Sequence, residues 1–192
     1  MANQYMVVDI LTSPNNPEQF FEMPEDERGE LLNPIDSRII CAGIRFNEKN
    51  FVFTDENERI LLKKFWDVWK DITDKDRFTK IVGFNILSFD MPFITTRSFA
   101  NEVNIVPFTL KNVIDLRDKV SAYKYGPRRG RLKEFGEMMG LETVDYEGEE
   151  VVKLWQEKNH SILYEIVENH LYITGEMYKR ALKTRVVDIS KF

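Results

Sequence analysis

Two aspartates and one histidine are spaced so that they could do chemistry. Asp9 interrupts the apolar run Met6-Val7-Val8-Asp9-Ile10-Leu11-Thr12, which Ser13-Pro14-Asn15-Asn16 stops. The β-branched pair ahead of it reads as a short buried strand with a carboxylate near its carboxyl end. A buried carboxylate without a partner is costly, so Asp9 is expected to cap a turn, pair with an arginine or face a metal ion. Asp90 follows a second apolar run, Lys80 to Phe84, and Asp90-Met91-Pro92 has the form of a helix start, with Pro92 where its missing N–H costs nothing. His170 lies in a long amphipathic segment and is readable either as a ligand or as a structural residue. Carboxylates of this kind suit hard divalent cations such as Mg²⁺ or Mn²⁺, and a neutral imidazole suits Mn²⁺ or Zn²⁺ better than Mg²⁺.

The elements that must position these residues follow from periodicity. Arg38 to Phe46 and Phe51 to Phe53 read as two strands joined by a hairpin turn at Asn47-Glu48-Lys49-Asn50. Asp55-Glu56-Asn57-Glu58 has capping-box form, and Leu62, Phe65, Trp69 and Ile72 then make one apolar stripe. A helix is expected from about Pro92 to Ala100, and Val113 to Leu116 forms a strand end. Shorter helices are expected over Arg131 to Met139 and Glu149 to Glu157. A long last helix runs from about Ser161 to Lys183. Three closely joined strands followed by strand, helix, strand and helices predict a mixed α/β sheet: an antiparallel ribbon on one side and parallel strands on the other. Ligands gather at the carboxyl ends of the strands in such sheets, where Asp9, Asn85 and Asp90 fall.

The 192 residues are expected to form one domain, with a long surface excursion at about 13–37 and, at about 185–192, either a flexible end or a docked segment. Apolar residues make up 43% of the chain, which excludes a disordered protein, and a net charge of −5 excludes a global basic field. Cys41, the only cysteine, cannot form an intrachain disulfide. The sequence carries no recognisable signal peptide and no long apolar span, so a soluble intracellular (cytoplasmic) protein with no membrane partner is expected. The densest basic run is Lys124-Tyr125-Gly126-Pro127-Arg128-Arg129-Gly130-Arg131-Leu132-Lys133. It reads as a phosphate-contacting loop with Tyr125 stacking on a base, or as a solvated turn.

Gly83-Phe84-Asn85-Ile86-Leu87-Ser88-Phe89-Asp90-Met91-Pro92-Phe93-Ile94 resembles the second exonuclease motif of the DEDD 3′–5′ exonucleases, in the branch related to the proofreading domains of family-B DNA polymerases. Arg131 to Leu141 resembles the family's helix before the third motif, and Gly148 to Trp155 the segment after that helix. The resemblance covers nearly the whole chain. It implies a ribonuclease H-like α/β fold, a two-metal site, and a single-stranded DNA or RNA end as partner. Asn85 and Phe89, within that motif, would be substrate contacts, with Asp9 and Asp90 as metal ligands; Tyr125, Arg128, Arg129 and Arg131, from the basic run, would add base and phosphate contacts. The first motif of that family reads Asp-Ile-Glu-Thr and the third Tyr-x-x-x-Asp. Here Leu11 stands in place of the Glu, Ile166 of the Tyr and His170 of the Asp.

These departures imply a nucleic-acid-binding exonuclease homologue with a degraded site, a pseudoenzyme. The alternatives are an active exonuclease, using Mg²⁺ or Mn²⁺ with Asp9, Asp90 and either His170 or Glu168, and a scaffold for a protein partner. Two further frames on the last helix, Tyr164 with Glu168 and His160 with Glu165, would need a different helix face. A two-residue shift turns a helix by about 200°.

Overall fold

The computed structural model describes residues 4–124, 126, 129–144, 146 and 148–191. Its centre is β1 (Tyr5–Pro14), a strand buried on both faces. Met6, Val8 and Ile10 point to one side, and Val7, Asp9 and Leu11 to the other, as the two-residue strand period requires. After β1 come α1 (Pro17–Glu22), β2 (Ser37–Phe46), β3 (Lys49–Thr54), α2 (Glu58–Thr73), β4 (Lys80–Gly83), α3 (Asp90–Ala100), β5 (Val113–Asp115) and α4 (Leu116–Val120). The chain continues through α5 (Leu132–Met138), α6 (Gly148–Gln156) and α7 (His160–Lys183).

The five strands lie in the order β3-β2-β1-β4-β5. β1 pairs antiparallel with β2 and parallel with β4, and β5 extends the parallel side. This is the expected mixed sheet of ribonuclease H-like type: an antiparallel ribbon continued by parallel strands and flanked by helices. One apolar cluster joins the Met6/Val8/Ile10 face to α2 and α3, through Phe65, Trp66, Trp69 and Ile94 among others. The other joins Val7 and Leu11 to α6 and α7.

Several local details differ from the sequence expectations, each for a physical reason. The β2–β3 turn has two residues, Asn47 and Glu48, both at positive φ (49° and 62°), so Lys49 and Asn50 belong to the strand. Asn57, not Asp55, caps α2, accepting from Arg59 N at 3.1 Å. Glu58 is buried instead of closing a capping box. It accepts from Ile39 N at 2.7 Å and from Arg97 Nη2 at 2.6 Å, which ties β2, α2 and α3 together. β1 and β2 run on to Pro14 and Ser37, so the excursion between them is shorter than 13–37 and carries α1 and a 3₁₀ turn at Arg28–Leu31. Arg28 fixes it by donating to Met23 O and by an ion pair with Glu149 at the start of α6. The final segment forms a 3₁₀ turn at Val186–Asp188, with Val186 and Val187 packed on the second cluster.

The seat of α7 on the sheet is set by Gly43, which lies opposite Asp9 in the β1–β2 register. A Cβ at Gly43 would lie 2.5 Å from Val167 Cγ1 and 2.8 Å from Leu171 Cδ1. The backbone of Gly43 is not in the left-handed region, so the constraint is space alone. Gly43→Ala is expected to lower stability by about 1–3 kcal/mol in urea unfolding, the usual cost of overpacking. An unchanged midpoint would show that α7 can back away freely.

Candidate functional site

Three aspartates lie toward one end of the parallel strands: Asp9 midway along β1, not near its carboxyl end as the sequence suggests because β1 runs on to Pro14, Asp90 at the start of α3, and Asp115 at the end of β5. Asp9 points toward α7, and its Oδ2 lies 3.1 Å from His170 Nδ1. An ionised carboxylate can only accept, so the ring donates from Nδ1. Both side chains are mostly shielded, with 16% exposure for Asp9 and 26% for His170. Asp9 therefore pairs with a histidine rather than with an arginine. Burial opposes protonation of His170, but the charge of Asp9 and its hydrogen bond outweigh burial, and the imidazole pKa is raised above its ordinary value.

Asp90 opens α3 and is buried. Parallel pairing of β1 with β4 ends at Val7–Val82. Beyond that point Asp90 Oδ1 accepts the β1 amide of Ile10 at 3.2 Å. Its carboxyl thus does part of the work of the missing strand. Burial, then the charge of Asp9, raises its pKa well above its ordinary value, while backbone donors act in the opposite direction.

Asp115 belongs to none of the motifs above, although it ends an apolar run, Val113-Ile114-Asp115, just as Asp9 ends Val7-Val8. It is buried at the end of β5 and accepts four backbone amides: Asn85 at 3.0 Å, Leu87 at 3.1 Å, Arg117 at 3.0 Å and Asp118 at 3.4 Å. It is a positioning residue that shapes the turn between β4 and α3. That turn needs Asn85 at φ 63°, a conformation asparagine tolerates better than most residues. Asn85 Oδ1 in turn accepts from Arg117 Nη1 at 3.4 Å. Phe89 is half-buried against Phe93, with ring centroids 4.8 Å apart.

The remaining candidate residues are distributed as follows. Leu11 and Ile166, the residues at the altered first- and third-motif positions, are both buried in the second apolar cluster. Glu168, Tyr164 and Glu165 are exposed, and His160 stacks on Trp155 with centroids 5.4 Å apart, so neither alternative frame on α7 faces Asp9. Tyr125 and Arg128 lie outside the described residues. Arg129 is turned inward onto Asp118, and Arg131 starts α5, with Nε 3.7 Å from Glu134. Among the described residues, no three or more His, Cys, Asp or Glu side chains are placed to hold a metal ion. No helix among the described residues is long and apolar enough to cross a membrane.

Three relationships bear on this arrangement. Residues 44–180 match a family described as predicted 3′–5′ exonucleases related to the exonuclease domain of PolB. An uncharacterized protein of Methanocaldococcus jannaschii is 30% identical over 159 residues, covering 77% of this chain and 88% of that protein. The structure of the family B DNA polymerase from the hyperthermophilic archaeon Pyrobaculum calidifontis is similar with a TM-score of 0.73 and 18% identity. The match covers 97% of this chain and 25% of the polymerase, so this chain spans a quarter of that protein. At that identity the likeness is one of fold.

The His170–Asp9 contact has a pH signature. A histidine whose pKa is raised on folding contributes stability that is fully present below its unfolded value and is lost as pH rises through the folded value. The melting temperature is therefore expected to fall as pH rises above about 6.5, the unperturbed histidine value. His170→Gln should flatten that slope while His160→Gln leaves it intact. Equal slopes in the two variants would contradict the assignment.

Proposed function

This chain belongs to the family of predicted 3′–5′ exonucleases related to the exonuclease domain of PolB, and on that premise we propose that it is a nucleic-acid-binding exonuclease homologue whose two-metal site is degraded, leaving it inactive or strongly impaired. The observation that carries the proposal is Leu11. It lies on the same strand face as Asp9, where the resemblance calls for a glutamate, and it is only 8% exposed within an apolar cluster. Two-ion phosphodiester hydrolysis depends on a cage of carboxylate oxygens. Hydrocarbon at Leu11 and Ile166 supplies no ligand, and His170 is already bonded to Asp9. This donor set does not fit a pair of Mg²⁺ ions, and no catalytic step is assigned to one.

The binding half of the proposal rests on family membership and on the basic run from Lys124 to Lys133 in the sequence, of which Arg129 is turned inward onto Asp118. Its partner is a single-stranded DNA or RNA end. The second reading is an active exonuclease using Asp9, Asp90 and His170 on a softer ion such as Mn²⁺; it requires these side chains to leave their present hydrogen bonds and draw together, since among the described residues no three such groups are placed to hold an ion. Glu168 is not part of that reading because it faces solvent.

Labelled single-stranded DNA and RNA, incubated with Mg²⁺ and then with Mn²⁺, separate the two. Wild type is expected to release no more product than Asp9→Ala. Cleavage that needs Mn²⁺ and disappears in Asp9→Ala would install the second reading. The triple variant Leu11→Glu, Ile166→Tyr, His170→Asp is expected to exceed wild type by at least about tenfold, equivalent to ~1.4 kcal/mol of barrier. Because it places a carboxylate in an apolar cluster, it should also melt at lower temperature in EDTA than in Mn²⁺. Wild-type binding should weaken steeply with salt, and no affinity for either nucleic acid at low salt would leave the protein-scaffold reading in its place.

A further inference from the structure

Arg117, the second residue of α4, belongs to none of the motifs, yet the fold holds it beside the exonuclease-like face. Its guanidinium lies over the Phe84 ring, 5.8 Å from the centroid, and its Nη1 donates to Asn85 Oδ1 at 3.4 Å. Phe84 packs with the second apolar cluster, on the sheet face from which Asp9 meets His170 of α7. It also meets Phe135 of α5, with ring centroids 5.7 Å apart. Gly130 of the basic run comes so close to Phe135 that a Cβ there would lie 2.5 Å from Cε2. Arg117 therefore sits where the turn carrying Asn85 meets the return of the basic run.

Arg28, Arg97 and Arg129 each meet a carboxylate, but Arg117 makes no ion pair among the described residues. The reason is local. Asp115 gives its oxygens to four backbone amides, that of Arg117 among them, and Asp118 is paired with Arg129. A guanidinium stays charged at any ordinary pH, so this cation stands uncompensated. Its Nε is enclosed, but Arg117 as a whole is only partly buried, and Nη2 is neither hydrogen-bonded among the described residues nor enclosed. The bond to Arg117 also orients Asn85. A guanidinium only donates, so Asn85 presents Oδ1 to it and keeps both Nδ2 hydrogens for another acceptor. A planar cation next to an amide N–H₂ group suits the oxygens of an anion.

We infer that Arg117 is a phosphate-binding residue of the exonuclease-like face, and that its Nη2 and the Nδ2 of Asn85 donate together to one backbone phosphate of a single strand. The inference rests on the nucleic-acid reading proposed above and adds to it a residue outside the motifs. A phosphate contact positions a strand without reading its sequence, so Arg117 serves DNA and RNA alike. In a chain of net charge −5, attraction for a strand has to come from local cations of this kind. The contact requires no metal.

Anisotropy of a fluorescein-labelled oligothymidylate, titrated with the whole chain in EDTA over a range of salt, reads the inference. Arg117→Ala is expected to weaken binding about tenfold and to flatten the plot of log affinity against log salt by about 0.7, the loss of one phosphate contact to a single strand. Arg117→Gln, which can still donate to Asn85, should flatten the plot equally while keeping the wild-type melting temperature. Arg117→Lys should restore the slope, because an ammonium also displaces a counterion. Arg59→Ala, which removes an exposed cation from α2 on the opposite face of the sheet, should keep the wild-type affinity and slope. A wild-type slope in Arg117→Ala and Arg117→Gln, or losses in Arg59→Ala as large as theirs, would overturn the inference and leave the nucleic-acid reading standing. Wild type that binds no oligonucleotide at low salt would overturn both.

Discussion

A carboxylate in the middle of a strand that is buried on both faces has to be matched by something. Asp9 is that carboxylate, and His170 matches it at 3.1 Å. The contact constrains more than two residues. It requires α7 to lie close over β1 and β2, and the absence of a side chain at Gly43 makes that approach possible. It also sets the rotation of α7, which turns Ile166 and Val167 into the apolar cluster and Glu168 to solvent. The second core forms around this geometry, with Val7 and Leu11 on one side and Ile173 and Met177 on the other.

The carboxyl ends of the parallel strands are organised by acids that act on the backbone. Asp90 holds the amide of Ile10 where β4 runs out, and Asp115 gathers four amides, two in the turn leading to α3 and two in the first turn of α4. Amide donors of this kind stabilise carboxyl groups locally. They hold the turns at this end of the sheet, beside a core in which Leu11 and Ile166 are buried. Leu11 and Ile166 are core residues, so replacing them with Glu and Tyr acts on stability whatever it does to chemistry.

Much of this was legible in the sequence. The stripe of Leu62, Phe65, Trp69 and Ile72 marked α2, and all four are buried. The order of strands and helices indicated a mixed sheet, and the run from Gly83 to Ile94 marked the turn that carries Asn85 and Asp90. The motif frame on α7 pointed to His170 but left Glu168 open as an alternative, and only the structure turns Glu168 to solvent. What remained hidden depended on contacts distant in the chain. The partner of Asp9 is 161 positions away. Glu58 looked like a local cap because its sequence neighbours fit one, yet its partners are Ile39, Arg97 and Asn101. Asp115 repeats the apolar-run-then-aspartate signal of Asp9, but a three-residue strand gave too little pattern to single it out.

The account turns on whether His170 holds Asp9 in place of metal. A crystal structure grown in millimolar Mn²⁺ tests this most directly, because anomalous scattering locates the ion independently of the protein. The account predicts no manganese between Asp9 and Asp90 and an intact His170–Asp9 contact. Two manganese ions bridging Asp9 and Asp90, with His170 swung away from Asp9, would contradict it.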